Sequence, residues 1–433
     1  MKHGRGDDTH RALSQLDPPL DIRATPTNRD ALWGLLERAE PPVMFWSSPD
    51  EVSLIGAGEV VSIDSHGESA IEDQQQQAES IFEELDYAGP PTARPRLLGG
   101  MSFDQLPPTG SHWSEFPASY FFLPKSQITT DGDDTWYTAI GPAQELTSNS
   151  RKKVGHLPTV LDSCHEPNRT EWNEQVIRSR TEIRNDAYSK VVLAQALDLQ
   201  LSDTVSLPPL VKTLQRENPN CFISAFKPTK SAVFVAATPE RLVTRENTKL
   251  RTDALAGSSK RGDTDGTDKR LSNQLEASQK NRHEHALVVE AITDELDRFG
   301  GAITIGDRRV FRLQTVQHLH TPIEVQYDQA PHILEVVKAL HPTPAVGGLP
   351  RDAANEAIQR IESIDRGWYA APIGWHDANG NGSFAIGIRS GIFREKSARL
   401  FAGAGIVANS DPAEEWNELQ LKYEPLLSCF TQK

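Results

Sequence analysis

Cysteine is scarce in this chain, and long apolar runs are absent. Cys164, Cys221 and Cys429 are the three cysteines among 433 residues. They are too few and too scattered for a disulfide framework or a cysteine-based zinc site. No apolar run approaches the roughly 20 residues that a membrane-spanning helix needs, and the stretch from Met1 to Asp8 lacks the apolar core of a secretory signal. We therefore expect a cytoplasmic protein without a membrane partner.

Positive charge is also in short supply. The chain carries 45 Lys and Arg residues against 60 Asp and Glu residues, which gives a formal net charge of −15 at pH 7. We expect no nucleic-acid partner, because neutralising phosphates needs a basic surface. An anionic substrate would need positive charge supplied locally, by a metal ion or by a few Lys and Arg side chains. The 37% hydrophobic and 24% charged content is that of a globular protein.

The residue pattern favours an α+β fold. Residues 1–30 are polar, and we expect them to be flexible. Residues 31–165 alternate short apolar runs with Gly, Pro and Ser and carry few chemical signals, whereas residues 166–430 carry most of them. Strands and helices alternate in unequal groups, which favours sheets with peripheral helices. The length fits one large domain or roughly two to three smaller ones, and the pattern leaves open whether the first part is separate.

Hydrophobic periodicity predicts the individual elements. Strands are expected at Val43–Trp46, Val52–Ile55, Val60–Ile63, Ser119–Leu123, Trp136–Ile140, Lys190–Leu199, Phe222–Phe226, Val233–Ala237, Ser383–Phe393 and Ala398–Val407. Helices are expected around Gln74–Gln77, from about residue 168 to 186, and at Ser278–Phe299, Pro331–Leu340 and Pro350–Ile361. The apolar face of the helix over Ser278–Phe299 is predicted to consist of Ala286, Val289, Ile292 and Leu296.

The segment near the C-terminus is the most informative one. A small-residue turn, Gly403-Ala404-Gly405, precedes Asp411 and Pro412, which suit the N-cap and the first position of a helix. On that helix Glu415, Glu418 and Lys422 fall within about 60° of one another. The two carboxylates could hold a hard cation, and the amine could hold an anionic group beside it. An ordinary salt-bridged surface helix is the alternative.

Two further residues have the character of an acid–base pair. Lys190 leads into an apolar strand, and desolvation can turn an ammonium into a general base near neutral pH. Glu240 lies in the turn after another strand, where burial would raise its pKa and allow it to donate a proton. The alternatives are a lysine at the surface end of a strand and a turn carboxylate paired with Arg241.

Several other polar residues could bind an anion or a metal ion. Gly257 and Ser258 could present backbone N–H groups to an anion. Glu284, on the long helix, is a plausible Mg²⁺ ligand. His318 and His320, two apart on a predicted strand, face the same way, so a zinc hydrolase is an alternative.

Arg389 lies within a predicted apolar strand. A charged residue there calls for a carboxylate partner, from the protein or from a ligand. Glycines at 347, 348, 367, 374, 380 and 382 mark tight turns around it.

Together these segments resemble the chorismate-utilising enzyme family. The resemblance covers about residues 165–430 in the same order throughout, with the matching stretches Ser189–Ala194, Thr238–Leu242, Ala254–Gly262, Ser278–His285, His341–Gly348, Arg366–Trp375, Ile386–Ser390 and Ala402–Lys422. The family fold is one α+β domain of two stacked antiparallel sheets with helices outside. The resemblance therefore implies a single chorismate-binding domain over residues 31–433, with residues 31–165 as its variable part and 166–430 as its catalytic core.

The resemblance also implies a reaction. Family members that add ammonia to chorismate, such as anthranilate synthase and aminodeoxychorismate synthase, usually carry Gln where this chain has Lys190, whereas members that add water carry Lys. Water must lose a proton to attack, so a base is needed. The resemblance thus implies an isochorismate synthase activity, in which Lys190 activates water for attack at carbon 2 and Glu240 protonates the hydroxyl that leaves carbon 4.

The resemblance assigns the remaining roles as well. Mg²⁺ would be held mainly by Glu284 and Glu418, with Glu415 behind them or acting through water, and would bind the ring carboxylate of the substrate. Gly257 and Ser258 would add contacts to that carboxylate, and His318 would line the ring pocket. The enolpyruvyl carboxylate would be bound by Tyr369, Arg389, Lys422 and the amides of Gly403, Ala404 and Gly405.

The chain departs from the commonest family pattern at Gln195, where many relatives have Arg, and at Thr238, where many have Ser. The stretch at His320 and Thr321 varies among subfamilies, which leaves the final product open between isochorismate and salicylate. An ammonia-dependent enzyme and a non-catalytic scaffold are further alternatives. We expect a monomer with at most transient contacts with downstream enzymes, of either the menaquinone or the siderophore route.

Overall fold

A computed structural model describes residues 20–49, 52–67, 69–141 and 156–431. Its strands are β1 (Ile22–Pro26), β2 (Val43–Ser47), β3 (Ser53–Ser65), β4 (Arg96–Met101), β5 (Ser119–Asp131), β6 (Asp134–Ile140), β7 (Val160–Glu166), β8 (Lys190–Leu201), β9 (Phe222–Lys227), β10 (Ala232–Thr238), β11 (Arg241–Glu246), β12 (Lys249–Lys260), β13 (Ala302–Ile305), β14 (Arg309–Arg312), β15 (Val316–Gln326), β16 (Gly348–Leu349), β17 (Pro372–Asp377), β18 (Gly382–Ile386), β19 (Ser390–Arg394) and β20 (Ser397–Ile406).

The described helices pack around these strands. They are α1 (Arg29–Arg38), α2 (Ala70–Glu83), α3 (Arg169–Arg184), α4 (Leu207–Glu217), α5 (Asp265–Ala277), α6 (Gln279–Asp297), α7 (Ile333–Leu340), α8 (Arg351–Ile361) and α9 (Pro412–Leu427). Short 3₁₀ turns lie at Pro91–Ala93 and Ser111–Trp113. No helix of the described residues is both long and apolar enough to cross a membrane.

The strand ladder is antiparallel and runs without interruption through most of the chain. From β8 it passes through β20, β19, β10, β9, β2, β3 and β5. It continues from β5 through β4, β17, β18, β11 and β12 to β15. The predicted α+β fold with antiparallel sheets and peripheral helices is confirmed, and its strands are joined into one curled sheet.

Two of the described strands before residue 142 pair directly with later ones. β2 pairs with β9, and Trp46 lies opposite Ser224. β4 pairs with β17, and Leu98 lies opposite Trp375. Aromatic side chains fill the interior between these strands; for example, Phe226 stacks on Trp368 with ring centroids 4.8 Å apart. The chemically poor first part therefore shares its hydrogen-bond ladder with the part that carries the functional residues, while the division into domains stays a prediction.

Local sequence signals set several element boundaries. Helix α3 begins with a capping box, because the side chain of Asn168 accepts from the N–H groups of Thr170 and Glu171 while Glu171 accepts from the N–H of Asn168. Strands β9 and β10, which correspond to the strands predicted at Phe222–Phe226 and Val233–Ala237, form a hairpin. Their β-branched and aromatic residues suit a buried pleated sheet.

Two predictions for the N-terminal part are wrong in detail. The two strands predicted at Val52–Ile55 and Val60–Ile63 are one strand, β3, and a bulge between Glu59 and Val61 replaces the predicted turn. The region 1–30, predicted to be flexible, contains β1, which pairs with β6. The rest of that prediction, residues 1–19, lies outside the described residues.

The buried face of α6 also differs from the prediction. Ile292 and Leu296 are buried as expected, but His285 and Val288 complete the face, while Ala286 is exposed and Val289 is half-buried. The apolar pattern alone did not predict that the polar residue His285 is buried. Its Nε2 forms a hydrogen bond with the hydroxyl of Thr321 at 2.8 Å, which allows the ring to be buried. A polar side chain with a partner can replace an apolar one in such a face.

Candidate active site

One cavity gathers most of the predicted site residues. Its empty volume is about 750 Å³, part of it open to solvent, and the predicted residues that line it are Lys190, Glu240, Gly257, Ser258, Glu284, His318, Tyr369, Arg389, Gly403, Gly405, Glu418 and Lys422. The rest of the lining is apolar: Val192, Pro239, Leu255, Ala256, Ala345, Val346, Ala370, Ile388 and Ala402. The two other predicted residues, Ala404 and Glu415, do not line it.

The side chain of Lys190 is buried at the start of β8. Its side chain is 8% exposed, and Nζ lies 2.8 Å from Oε1 of Glu284 on α6. Burial of Glu284 acts to raise its pKa, but the ammonium of Lys190 outweighs burial and holds that pKa below its usual value. Lys190 is thus buried, as expected, and it also forms an ion pair with a residue 94 positions away in the sequence. The sequence pattern did not predict this ion pair.

Glu240 faces the same cavity from the connection between β10 and β11. Burial raises its pKa to about 7, although Thr343 and the charge of Lys190 act in the opposite direction. The hydroxyl of Thr343 donates to Oε1 at 3.4 Å, and the backbone N–H of Glu240 donates to the hydroxyl of Thr238 at 3.1 Å. A carboxyl with a pKa near 7 can donate a proton at neutral pH.

Helix α9 begins and presents its side chains as its sequence predicts. Asp411 caps it by accepting from two backbone N–H groups, and Pro412 occupies its first position. Nζ of Lys422 lies 2.6 Å from Oε1 of Glu418, one turn away, and donates to the carbonyl of Gly403 at 2.7 Å. Burial acts to raise the pKa of Glu418, but Lys422 outweighs it and lowers that pKa.

The end of β20 presents backbone to the cavity. The carbonyl of Gly403 accepts from Lys422, so the peptide groups of Gly403 face away from β8. Backbone direction alternates along an antiparallel ladder, so the peptide groups of Gly405 also face away from β8, whereas those of Ala404 face it. A Cβ at Gly403 would lie 2.7 Å from the hydroxyl of Tyr369, and one at Gly405 would lie 3.1 Å from Cε of Lys190. Both positions therefore favour glycine, while Ala404 is placed away from the cavity.

A bulge in β12 places Gly257 and Ser258 at the cavity. The register against β15 shifts between Ala256 and Ser258, and Gly257 has a φ of +74°, which favours glycine. Burial lowers the pKa of His318 to about 3, so its ring is neutral. Its Nδ1 lies 2.9 Å from the hydroxyl of Ser258, and its buried Nε2 has no hydrogen-bond partner.

Arg389 is not within a strand, contrary to the prediction of one strand over Ser383–Phe393. Its φ of +50° interrupts the strand between β18 and β19. Its carbonyl still accepts from the N–H of Ala237 at 3.1 Å, while Arg389 lines the cavity. The guanidinium is buried, burial lowers its pKa, and Nη1 has no hydrogen-bond partner. A buried guanidinium nitrogen without a partner suits an anionic ligand. Tyr369, also in the lining, stacks on Phe401 with ring centroids 5.2 Å apart.

The carboxylates differ in their fitness to hold a metal ion. Glu284 and Glu418 line the cavity with lowered pKa values, so both are ionised at neutral pH. Burial and the charge of Glu418 raise the pKa of Glu415 to about 7. Within the part of the chain that the structure describes, no group of three or more His, Cys, Asp or Glu side chains could hold a metal ion. Two carboxylates beside an anionic ligand fit Mg²⁺, which commonly uses one or two protein carboxylates.

The two histidines of the alternative zinc site do not act together. Both lie on β15, but only His318 reaches the cavity. Nε2 of His320 lies 2.8 Å from Oδ1 of Asp253, and its Nδ1 accepts from Nε of Arg309 at 3.2 Å. Each ring is thus bound to different protein partners, and the zinc hydrolase alternative finds no support here.

Sequence reasoning missed some residues of the cavity. Val192 and Val346 line the cavity with apolar side chains. Thr343 is not in the lining, but its hydroxyl donates to Glu240. The stretch from His341 to Gly348 was recognised only for its similarity to the family. Its proximity to Glu240 depends on the course of the chain in three dimensions.

Comparisons with known proteins identify relatives of this chain. The family model described as "Chorismate binding enzyme" matches residues 23–431. The isochorismate synthase MenF of Bacillus subtilis is 32% identical over 414 residues, covering 89% of this chain and 87% of that protein. The salicylate biosynthesis isochorismate synthase of Pseudomonas aeruginosa is 32% identical over 449 residues, covering 97% and 93%. The solved structure of MenF, the menaquinone-specific isochorismate synthase from Escherichia coli, has a TM-score of 0.82 at 26% identity and covers 98% of this chain and 99% of that one.

The chain therefore belongs to the chorismate-binding enzyme family, and the family resemblance expected from its motifs is confirmed.

Proposed function

We propose that this protein is an isochorismate synthase, an isomerase that reversibly converts chorismate to isochorismate with Mg²⁺ as its cofactor. The observation that carries the proposal is that Lys190 and Glu240 line the same cavity as Glu284 and Glu418. A base, a protonated acid and two ionised carboxylates are thereby brought to one small volume. The relatives named isochorismate synthase support the same reaction.

The acid and the base divide the chemistry between them. Lys190 removes a proton from the water that attacks carbon 2, and Glu240, with its pKa near 7, delivers a proton to the hydroxyl that leaves carbon 4. The ring double bonds shift, and the hydroxyl is exchanged without net gain or loss of atoms. The base role requires an uncharged amine, so the Lys190 ammonium that pairs with Glu284 must release one proton to solvent before it can accept a proton from the attacking water.

Other residues of the cavity bind and orient the dianionic substrate. Arg389 and Lys422, with Tyr369 and the amides at the end of β20, take the enolpyruvyl carboxylate. Glu284 and Glu418 would hold Mg²⁺, with Glu415 behind them or acting through water; when bound, the ion would offset the charge of the ring carboxylate and fix its orientation. Gly257 and Ser258 add contacts to that carboxylate. The neutral ring of His318, held by Ser258, lines the pocket of the substrate ring.

Product identification tests the proposal. The purified protein is incubated with chorismate and Mg²⁺, and the products are separated by chromatography with and without an isochorismate-consuming enzyme. We expect isochorismate that disappears when that enzyme is present. Fluorescent salicylate would instead assign the pyruvate-eliminating activity, and turnover that appears only with ammonia would assign an aminating enzyme. No turnover of chorismate under any of these conditions would contradict the proposal and favour a non-catalytic scaffold.

Two finer assignments are proposed with the function. A location in the cytoplasm accords with the lack of a membrane-crossing helix among the described residues. A monomeric state is proposed as well. Size-exclusion chromatography with light scattering tests the second, and a stable dimer at working concentration would contradict it.

A further inference from the structure

Strand β8, which carries Lys190, is incompletely covered on one edge. Its other edge pairs with β20 from Val191 to Gln200. On the first edge, β16 pairs with residues 190–191 and β7 with residues 196–201. Over residues 192–195 no strand of the described chain covers that edge. Buried peptide groups at such a gap need hydrogen-bond partners from elsewhere.

Two charged side chains supply those partners. Nη2 of Arg366 donates to the carbonyl of Val192 at 2.7 Å, and Oε1 of Glu362 accepts from the N–H of Ala194 at 2.7 Å. The carbonyl of Gly347 accepts from the N–H of Val192 at 2.8 Å. Glu362 and Arg366 pair with each other at 2.5 and 2.8 Å and are 3% and 4% exposed. The ion pair thus occupies the place of a missing strand.

The same guanidinium reaches the segment beside the acid. Nη1 of Arg366 donates to the carbonyl of Val346 at 3.0 Å. Val346 belongs to the turn that begins at Thr343, because its N–H donates to the carbonyl of Thr343 at 3.1 Å. The hydroxyl of Thr343 donates in turn to Glu240. One side chain therefore connects the strand of Lys190 with the turn that contacts Glu240.

We infer that Glu362 and Arg366 are positioning residues, which hold the base strand and the acid-side turn at the separation that the reaction needs. The inference rests on the proposed function. Neither residue lines the cavity, so both act through Lys190 and Glu240 and not by touching the substrate. Lysine cannot replace Arg366, because one ammonium cannot bind two carbonyls and a carboxylate in the fork geometry of a guanidinium.

The decisive variant is Arg366→Lys, which keeps the charge and removes the fork. We expect kcat for chorismate to fall about 10- to 100-fold, since small misplacements of reacting groups have effects of that size. KM should stay within about twofold, because Arg389 and Lys422 lie on other segments. The matched control is Arg360→Lys on α8, whose guanidinium binds Glu182 at the exposed surface. Its kinetic constants should equal those of the wild type.

A second variant and a second readout keep the inference testable if Arg366→Lys does not fold. Glu362→Gln retains the shape of the side chain but removes its charge. We expect hydrogen exchange of the peptide spanning residues 190–195 to accelerate about tenfold or more at Ala194, because its acceptor is weakened. The same measurement on the Arg360→Lys variant should give the rate of the wild type.

The outcomes separate this inference from the proposed function. A folded Arg366→Lys variant with wild-type kcat, or one whose loss lies entirely in KM, would overturn the positioning role. Unchanged exchange at Ala194 in Glu362→Gln would overturn it too. If the wild type itself does not convert chorismate, the proposed function fails. Faster exchange would then still show that the Glu362–Arg366 pair stabilises β8. The role of this pair in the conversion of chorismate would be overturned.

Discussion

The cavity contains two lysine–glutamate ion pairs of nearly equal length and different origin. Lys190 and Glu284 meet at 2.8 Å from a strand and a helix that lie 94 residues apart. Lys422 and Glu418 meet at 2.6 Å within one turn of α9. The first pair exists only because the fold brings the side chain of Lys190, at the start of β8, to Glu284 on α6, whereas the second follows from helical spacing. Similar contacts can therefore be non-local or local in origin.

The two lysines also differ in what else they touch. Lys422 donates to the carbonyl of Gly403 as well as to Glu418, so its amine is fixed by two partners and suits a binding role. Among the described residues, the Lys190 amine donates to Glu284 alone, and the cavity lies beside it. An amine with a single partner is easier to free for proton transfer. This difference supports the proposed roles of Lys190 as a base and Lys422 as a substrate-binding residue.

The largest expected effect separates the two lysines. Lys190→Ala should lower kcat by about 10²- to 10⁴-fold, the usual contribution of a general base. Lys422→Ala should leave kcat within about tenfold and raise KM by about 10- to 100-fold, the equivalent of one charge-assisted hydrogen bond. Steady-state kinetics with chorismate measures both, and thermal unfolding confirms that each variant is folded. Equal losses of kcat in the two variants would remove the distinction.

A smaller effect concerns the two carboxylates. Glu284→Gln and Glu418→Gln should each raise the Mg²⁺ concentration for half-maximal activity by at least about tenfold, since even outer-shell partners alter metal affinity by 10- to 100-fold. Glu284→Gln should also change kcat, because Lys190 loses its partner. The matched control is Glu414→Gln, an exposed position in the first turn of the same helix. A Mg²⁺ titration of Glu418→Gln that superimposes on the wild type would contradict its metal role.

The smallest expected effect is on pH dependence and distinguishes Glu240 from the paired carboxylates. Its pKa is raised to about 7 by burial, so the proton it must donate is lost above pH 7. We expect kcat to fall about tenfold per pH unit there, whereas the lowered pKa values of Glu284 and Glu418 keep both ionised. A pH–rate profile at saturating chorismate measures this. A flat profile from pH 6 to 9 would speak against Glu240 as the acid.

The same shift makes a stability prediction with a defined sign. The folded-state pKa of Glu240 lies above its usual 4.5, so stability is fully present below about pH 4.5 and falls as pH rises to about 7. Glu240→Gln removes the free-energy cost of burying an ionised carboxylate. The variant should therefore be more stable than the wild type at pH 8 by up to about 3 kcal/mol, with no difference at pH 4. Urea unfolding at the two pH values tests it. A variant that is less stable at pH 8 would contradict the burial argument.

Much of the fold could be predicted where the signal is local. The capped starts of α3 and α9 and the hairpin of β9 and β10 follow from neighbouring residues. The predictions failed where a break in apolar pattern was ambiguous. At Glu59 the break is a bulge and the strand continues, whereas at Arg389 an apparently continuous strand is interrupted by a left-handed residue. Hydrophobic periodicity does not distinguish a bulge from an interrupted strand, because both depend on pairing with the neighbouring strand.

The candidate site could be predicted as a set of residues but not as a geometry. Family similarity named twelve residues that line the cavity, and it also named Ala404 and Glu415, which do not line it. Alternation along β20 turns Ala404 away from the cavity, and the register that sets this alternation comes from pairing with β8. Thr343 and Arg366 lie in the matching stretches His341–Gly348 and Arg366–Trp375 but were given no role, and Glu362 was not singled out, since their importance lies in which distant groups they meet.

The amino-acid sequence by itself determined the local features: the capped helix that carries Glu418 and Lys422, the glycines beside it, and the presence of one lysine and one glutamate suited to acid–base chemistry. Only the tertiary structure decided that Lys190 pairs with Glu284, that Arg389 leaves its strand, and that Glu362 and Arg366 fill the gap beside β8. Helical contacts follow from a fixed spacing of three or four residues. Contacts between strands and helices far apart in sequence follow from sheet register and curvature, which emerge when the whole chain is packed.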